Sequence, residues 1–161
     1  MRRPTHEPAA DRVESAHVPI AATQPNESPR GRRLTPLAPV QILADARRLG
    51  EGQGVRFRVV MDGIERDAFA VRYRGRVHAY LNTCRHQLLP LDFGDAHFFD
   101  ETYDALVCCH HGARYRPETG ECFGGPCIGA RLTRLVVEER GGELWCTGVD
   151  QMLAPGSDPS S

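Results

Sequence analysis

Cys84-Arg85-His86 and, after the 21 residues from Gln87 to Val107, Cys108-Cys109-His110-His111 decide how this chain is read. The first stretch is a Cys-x-His and the second contains a Cys-x-x-His, so each offers one thiolate and one imidazole. Both spacings keep the two side chains on the same face of a tight turn. Two such loops can therefore present a mixed pair each to two neighbouring metal ions. Structural zinc is the plain alternative. Zinc fingers, however, usually pair Cys with Cys and His with His, with about two to four and about three to five residues between them. Nothing in a zinc site requires each loop to hold one of each.

The second pair runs on as His111-Gly112-Ala113-Arg114-Tyr115, and the first is followed by Leu91-Asp92. At these residues the chain resembles the Rieske iron–sulfur family, in particular its small stand-alone ferredoxin-like members. In that family two cysteines hold one iron of a [2Fe-2S] cluster and two histidines hold the other. The resemblance implies a Rieske-type [2Fe-2S] cofactor with Cys84, His86, Cys108 and His111 as its metal ligands, and no catalytic residue. Each histidine binds through one ring nitrogen in the family. The outer nitrogens of His86 and His111 would then form the electron exit and take up or release protons. Gly112 would let backbone amides approach the cluster sulfides. Glu121-Cys122-Phe123-Gly124-Gly125-Pro126-Cys127 supplies a third segment, whose Gly125-Pro126 resembles the family's proline loop shielding the cluster.

Departures from the high-potential members carry information. Their extra disulfide would fall at Leu89 and His110, so it is absent here. Ala113 stands where those members place a serine hydroxyl that donates to a cluster sulfide, whereas Tyr115 keeps the tyrosine donor. Fewer hydrogen bonds to sulfur favour the oxidised cluster, which sets the expected potential at about −150 mV rather than about +300 mV. Cys109 and His110 are expected to be a small packed residue and a surface histidine. Cys122 and Cys127 are expected to be free thiols and Cys146 a core residue.

The chain has 161 residues, 40% hydrophobic content and a net charge of −1. That suffices for one modest core and exerts no strong pull on nucleic acid or a membrane surface. No apolar run reaches the length of a transmembrane helix, and Arg2-Arg3 is not followed by a signal-like apolar stretch, so the cytoplasm is expected. Residues 1–37, rich in Pro, Ala, Ser and Arg without periodicity, are expected to be a disordered N-terminal tail, and 150–161 a flexible C-terminal one. The Rieske [2Fe-2S] domain is expected over 38–149. Within it Val55-Arg56-Phe57-Arg58-Val59 alternates as a half-buried strand, and Asp62-Gly63 is a hairpin turn. Phe69, Val71 and Tyr73 share a face of the next strand, and Val77 to Leu81 forms another. Ala105 to Val107 is a short strand, and Leu132 to Glu139 with Glu143 to Thr147 closes as a hairpin about Gly141-Gly142. Ala44 to Leu49 reads as one helical turn. The expected class is all-β: a Rieske-like antiparallel β-sandwich or small barrel with an inserted cluster-binding subdomain at its tip.

A Rieske centre moves single electrons and has no open position for substrate. The oxygenase relatives add a mononuclear iron on two histidines and a carboxylate, which needs a further domain. The expectation is thus a soluble one-electron carrier, taking electrons from a reductase and passing them to an oxygenase-type acceptor protein. Arg85, Arg114 and Arg116 are placed to flank its docking patch. The alternative is a non-catalytic redox-sensing or accessory subunit of a larger oxidoreductase complex.

Overall fold

The computed structural model describes residues 32–152. Its nine strands are β1 (Arg32–Leu43), β2 (Gly54–Met61), β3 (Ile64–Tyr73), β4 (Arg76–Leu81), β5 (Leu106–Val107), β6 (Arg114–Tyr115), β7 (Cys122–Gly124), β8 (Arg134–Arg140) and β9 (Glu143–Met152). Six form one antiparallel sheet in the order β1-β9-β8-β4-β3-β2. The edge strands β1 and β2 also approach each other, so the sheet curls into a half-barrel. The three short strands form a separate sheet, β5-β6-β7, within the segment inserted between β4 and β8. An all-β fold with an inserted tip is what the sequence leads one to expect. A single 3-10 turn, Ala46–Arg48, capped by the Asp45 carboxylate, occupies the expected helical turn.

The hairpins form where the backbone can adopt the left-handed region. Asp62-Gly63, Arg74-Gly75 and Gly141-Gly142 all have both residues at positive φ, which matches the twist of the flanking strands. Along β2, Arg56 and Arg58 are exposed while Phe57 and Val59 turn inward, the alternation expected of a half-buried strand. From Ala68 onward β3 is buried on both faces. Ala68 and Ala70 fill the barrel with Val59, Leu81, Leu135, Leu144, Cys146 and Val149. Phe69, Val71 and Tyr73 turn the other way, into a second core that belongs to the tip.

The strands reach into both expected tails. Arg32 to Pro36 pairs with Gly148 to Met152, from Arg32↔Met152 to Pro36↔Gly148. Neither segment has the composition to order itself, yet each satisfies the other's backbone groups, and that pairing is invisible to a composition argument applied to one segment at a time. The approach is close enough that a Cβ on Gly148 would stand 2.9 Å from the Thr35 carbonyl oxygen. The rest of the expected tails, 1–31 and 153–161, lies outside the described residues.

Candidate metal centre

The tip is held to the barrel by large side chains. Tyr80 leaves β4 fully buried and its hydroxyl donates to the Pro117 carbonyl at 2.8 Å. Phe69 stacks on Phe98, with ring centroids 4.0 Å apart. On this base two loops close on themselves. In the first, the Cys84 N–H donates to the Leu89 carbonyl at 2.7 Å and the Leu88 N–H to the Cys84 carbonyl at 2.9 Å. In the second, the Cys108 N–H donates to the Ala113 carbonyl at 2.9 Å and the Gly112 N–H to the Cys108 carbonyl at 3.0 Å. The Cys109 N–H joins the loops by donating to the Leu91 carbonyl at 2.8 Å.

These turns bring the four sequence-predicted ligands to one end of the molecule. Cys84 and Cys108 are buried, and their thiols lie within hydrogen-bonding reach of each other. His86, half-buried, and His111, exposed, stand edge to face with ring centroids 5.0 Å apart. The arrangement is a thiol pair inside and an imidazole pair outside. Among the described residues no three His, Cys, Asp or Glu side chains converge on one ion.

The Tyr115 hydroxyl lies 3.2 Å from the Cys84 sulfur and accepts the Arg85 N–H at 3.1 Å. Burial opposes ionisation of Cys84, but Tyr115, the His86 N–H, the Cys108 thiol and the Gln87 N–H outweigh it and lower its pKa. Cys108 is pushed up to about 11, by burial first and then by its neighbour Cys84. One thiolate is favoured there and a second is penalised, a pair whose full ionisation calls for a cation between them. Nδ1 of His86 is buried with no hydrogen-bond partner. An orphaned ring nitrogen of this kind costs free energy unless something accepts its lone pair. Donor chemistry, pairing and the orphaned nitrogen all fit a [2Fe-2S] cluster bound by two thiolates and two imidazoles.

Around this end lie groups that the motifs alone do not show. Asn82 donates to the Asp92 carboxylate at 2.8 Å and accepts the Leu91 N–H at 2.8 Å, tying off the first loop. Asp92, itself buried, also accepts the N–H groups of Gly94 and Ala96. Burial raises its pKa, but Asn82, the Ala96 N–H, Arg56 and the Gly94 N–H overcome this and hold the carboxyl below the usual range. In the sequence Leu91-Asp92 stood out as part of the family resemblance, but nothing there named Asn82 as its partner. Leu88, Leu89 and Phe93 are exposed on the segment that follows Cys84, at 68%, 38% and 75%, and Ile128 on the loop after β7, at 70%. Large apolar residues in segments otherwise made of turn formers were the available signal for that rim.

Other expected residues fall as follows. Gly125-Pro126 presses on the second loop: a Cβ on Gly125 would stand 2.9 Å from the Ala113 Cα. Ala113 is fully buried and brings no side-chain donor. Cys109 is half-buried, and His110 is exposed against the Phe93 ring. Arg85 is exposed, whereas Arg114 pairs with Asp100, and Arg114 and Arg116 lie over the Phe123 ring. All six cysteines are free thiols, and Cys146 sits in the barrel core.

Comparison with known proteins agrees with this geometry. The ferredoxin of carbazole 1,9a-dioxygenase from Nocardioides aromaticivorans IC177 superposes with a TM-score of 0.53 at 28% identity, over 67% of this chain and 95% of that one. A complex of reduced oxygenase and oxidized ferredoxin in carbazole 1,9a-dioxygenase gives 0.55 at 23% identity, over 71% of this chain and 97% of the matched one. The reduced complex between oxygenase and ferredoxin in that dioxygenase gives 0.52 at 20% identity over 68% of this chain, which spans only 27% of the chain matched there. At that level of identity the last two speak for the fold alone. No curated protein matched the sequence. Among the described residues no helix is long and apolar enough to cross a membrane. The family model for the Rieske [2Fe-2S] domain matches residues 40–146, both candidate ligand loops included, and the chain therefore belongs to the Rieske family and takes that family's [2Fe-2S] cluster.

Proposed function

We propose that this protein is a one-electron carrier that delivers electrons to an oxygenase. Cys84 and Cys108 would hold one iron of its cluster, and His86 and His111 the other. The observation that carries this reading is the imidazole pair, with centroids 5.0 Å apart, at the exposed end of the tip in front of a buried thiol pair. Bound there, the cluster supplies a one-electron couple. The protein's own part is to keep the thiolates dry, to fix both imidazoles on short hydrogen-bonded loops, and to leave the His111 edge open for the electron to pass. A group held in that way would supply electron transfer and offer no position for a substrate.

The rim around that edge suits a transient protein partner. Leu88, Leu89, Phe93 and Ile128 give it an apolar centre, which excludes water at a docked face, and Arg85 adds charge at its margin. The relative from Nocardioides aromaticivorans is the ferredoxin of a dioxygenase, which supports an oxygenase as acceptor. A flavin or iron–sulfur reductase is the matching donor. Six free thiols are in keeping with a reducing compartment, the cytoplasm. The cluster domain spans 38–149, extended at both ends by the strand pair that β1 makes with β9.

An EPR-monitored redox titration tests the assignment. The expected result is a Rieske-type signal at low average g, appearing near about −150 mV, since Ala113 offers the sulfides no hydroxyl. A midpoint near about +300 mV overturns the Ala113 argument. Zinc in place of iron ends the electron-transfer reading. For docking, Leu88→Ser with Phe93→Ser is expected to slow electron delivery to the acceptor at unchanged midpoint; unchanged delivery removes the apolar rim from the interface.

A further inference from the structure

The geometry points to Cys122 and Cys127 as a redox-active dithiol that a small disulfide such as oxidised glutathione closes to an intramolecular disulfide, with the change relayed to the cluster ligand Cys84 through the Tyr115 hydroxyl. The relay rests on the ligand assignment proposed above; the dithiol does not. The two sulfurs are 3.2 Å apart, closer than unbonded sulfur atoms ordinarily pack. The loop that carries them is pinned at its neck. The Cys122 N–H donates to the Ala130 carbonyl at 2.8 Å, the Gly129 N–H to the Cys122 carbonyl at 2.8 Å, and the Ala130 N–H to the Cys127 carbonyl at 3.0 Å. Backbone that already holds the sulfurs in contact loses little further entropy when the bond forms.

The two thiols differ in access. Cys127 is half-buried and Cys122 is buried, so Cys127 meets the oxidant first. Its thiolate attacks one sulfur of the small disulfide, forming a mixed disulfide and releasing one small thiolate, which takes up the Cys127 proton. Cys122, losing its own proton, then attacks the Cys127 sulfur and expels the second small thiol. Two protein thiols are oxidised to one disulfide, and one small disulfide is reduced to two thiols.

The relay follows from counting hydrogens. Cys122 donates its only S–H to the Gly124 carbonyl at 3.2 Å, and Cys127 donates its own to the Cys122 sulfur. With Cys84 a ligand thiolate that has no hydrogen to give, the contacts from the Tyr115 oxygen to the Cys127 sulfur and to the Cys84 sulfur, both 3.2 Å, share the single phenolic hydrogen. Closing the disulfide draws the Cys127 sulfur toward Cys122 and makes it a poorer acceptor. Tyr115 then donates to Cys84 alone. A stronger hydrogen bond to a ligand sulfur favours the reduced cluster, so oxidation of the thiol pair raises the cluster potential.

The test treats the cluster-loaded full chain with oxidised glutathione under nitrogen, then divides the sample. One half is denatured, alkylated and mapped by peptide mass. The expected peptide containing Cys122 and Cys127 is two hydrogens lighter, carries no alkyl group, and reverts on reduction with dithiothreitol. Full alkylation of both cysteines overturns the dithiol, as does a lasting glutathione adduct on Cys127 with Cys122 alkylated. In the other half the EPR midpoint is expected to move to a more positive value. A midpoint that stays or falls overturns the relay. The variant Cys127→Ser should form no intramolecular disulfide and show no rise in midpoint on the same treatment; an equal rise there would assign the effect to another thiol. Absence of any Rieske signal in untreated protein would overturn the ligand assignment and the relay together, while the peptide masses still decide the dithiol.

Discussion

Two cores meet on β3 and are filled differently. Toward the barrel the strand offers Ala68 and Ala70, which lie among aliphatic side chains and Cys146. Toward the tip it offers Phe69, Val71 and Tyr73, among Tyr80, Phe98, Phe99, Tyr115 and the thiols of Cys84, Cys108 and Cys122. The barrel is held by long ladders, such as the eight residue pairs of β2 with β3. The tip has strands of two or three residues and relies instead on loop hydrogen bonds, a buried Asn–Asp pair and aromatic bulk. In the barrel each contact is one of many alike, whereas in the tip single groups carry single tasks.

Substitutions in the two cores should separate these roles. The largest effect is expected for Cys108→Ser, which should abolish iron binding and the visible absorption while the β-type far-UV circular dichroism persists. Cys146→Ala in the barrel should bind its full iron and lose only about 1–2 kcal/mol of stability in denaturant unfolding. Equal iron loss in both would erase the distinction between the cores.

Next comes Asn82→Ala. It leaves the Leu91 N–H unpaired and takes a donor from the buried Asp92 carboxylate, for a cost of about 2–3 kcal/mol. A cost under about 0.5 kcal/mol, the range of ordinary surface substitutions, would show that the first loop is held by packing alone. Tyr115→Phe acts on the electron rather than the fold. Losing the donor to Cys84 should lower the EPR midpoint by about 60 mV, a tenfold change for one electron. Ala113→Ser should raise it by a similar amount.

The smallest effect is acid dependence at Asp92. Its folded pKa lies below its unfolded value of about 3.9, so its contribution is fully present above that pH. The contribution fades as pH falls through the folded pKa. Asp92→Asn should flatten the acid limb of stability measured by urea unfolding between about pH 4 and pH 2. An unchanged limb would assign the acid sensitivity to other carboxylates.

Much of the barrel was legible because its signals are local. The alternation Val55-Arg56-Phe57-Arg58-Val59 states which face of β2 is wet, and Asp62-Gly63 and Gly141-Gly142 state where the chain reverses. Phe69, Val71 and Tyr73 announced a shared face, though not that it would meet a second core instead of solvent. The start of β8 was less legible. Leu132 looked like strand, yet its side chain packs into the tip and its N–H donates to the Gly120 carbonyl at 2.9 Å, so the strand begins only at Arg134. The pairing of β1 with the end of β9 was hidden because each segment alone is too polar to suggest order.

By itself the sequence determined two loops that each pair a Cys with a His, the family, and the absence of a hydroxyl at Ala113. Each of these is decided within a few residues, by residue identity and the short reach of a turn. Only the tertiary structure decided that Tyr115 stands between Cys84 and Cys127, that Asn82 closes on Asp92, and that Phe93 packs against the His110 ring. The Tyr115–Cys84 contact spans 31 residues, and even the ten-residue closure of Asn82 on Asp92 depends on the fold of the loop between them. Their distances depend on how Tyr80, Phe69 and Phe98 seat the tip on the barrel, and no local pattern encodes that placement.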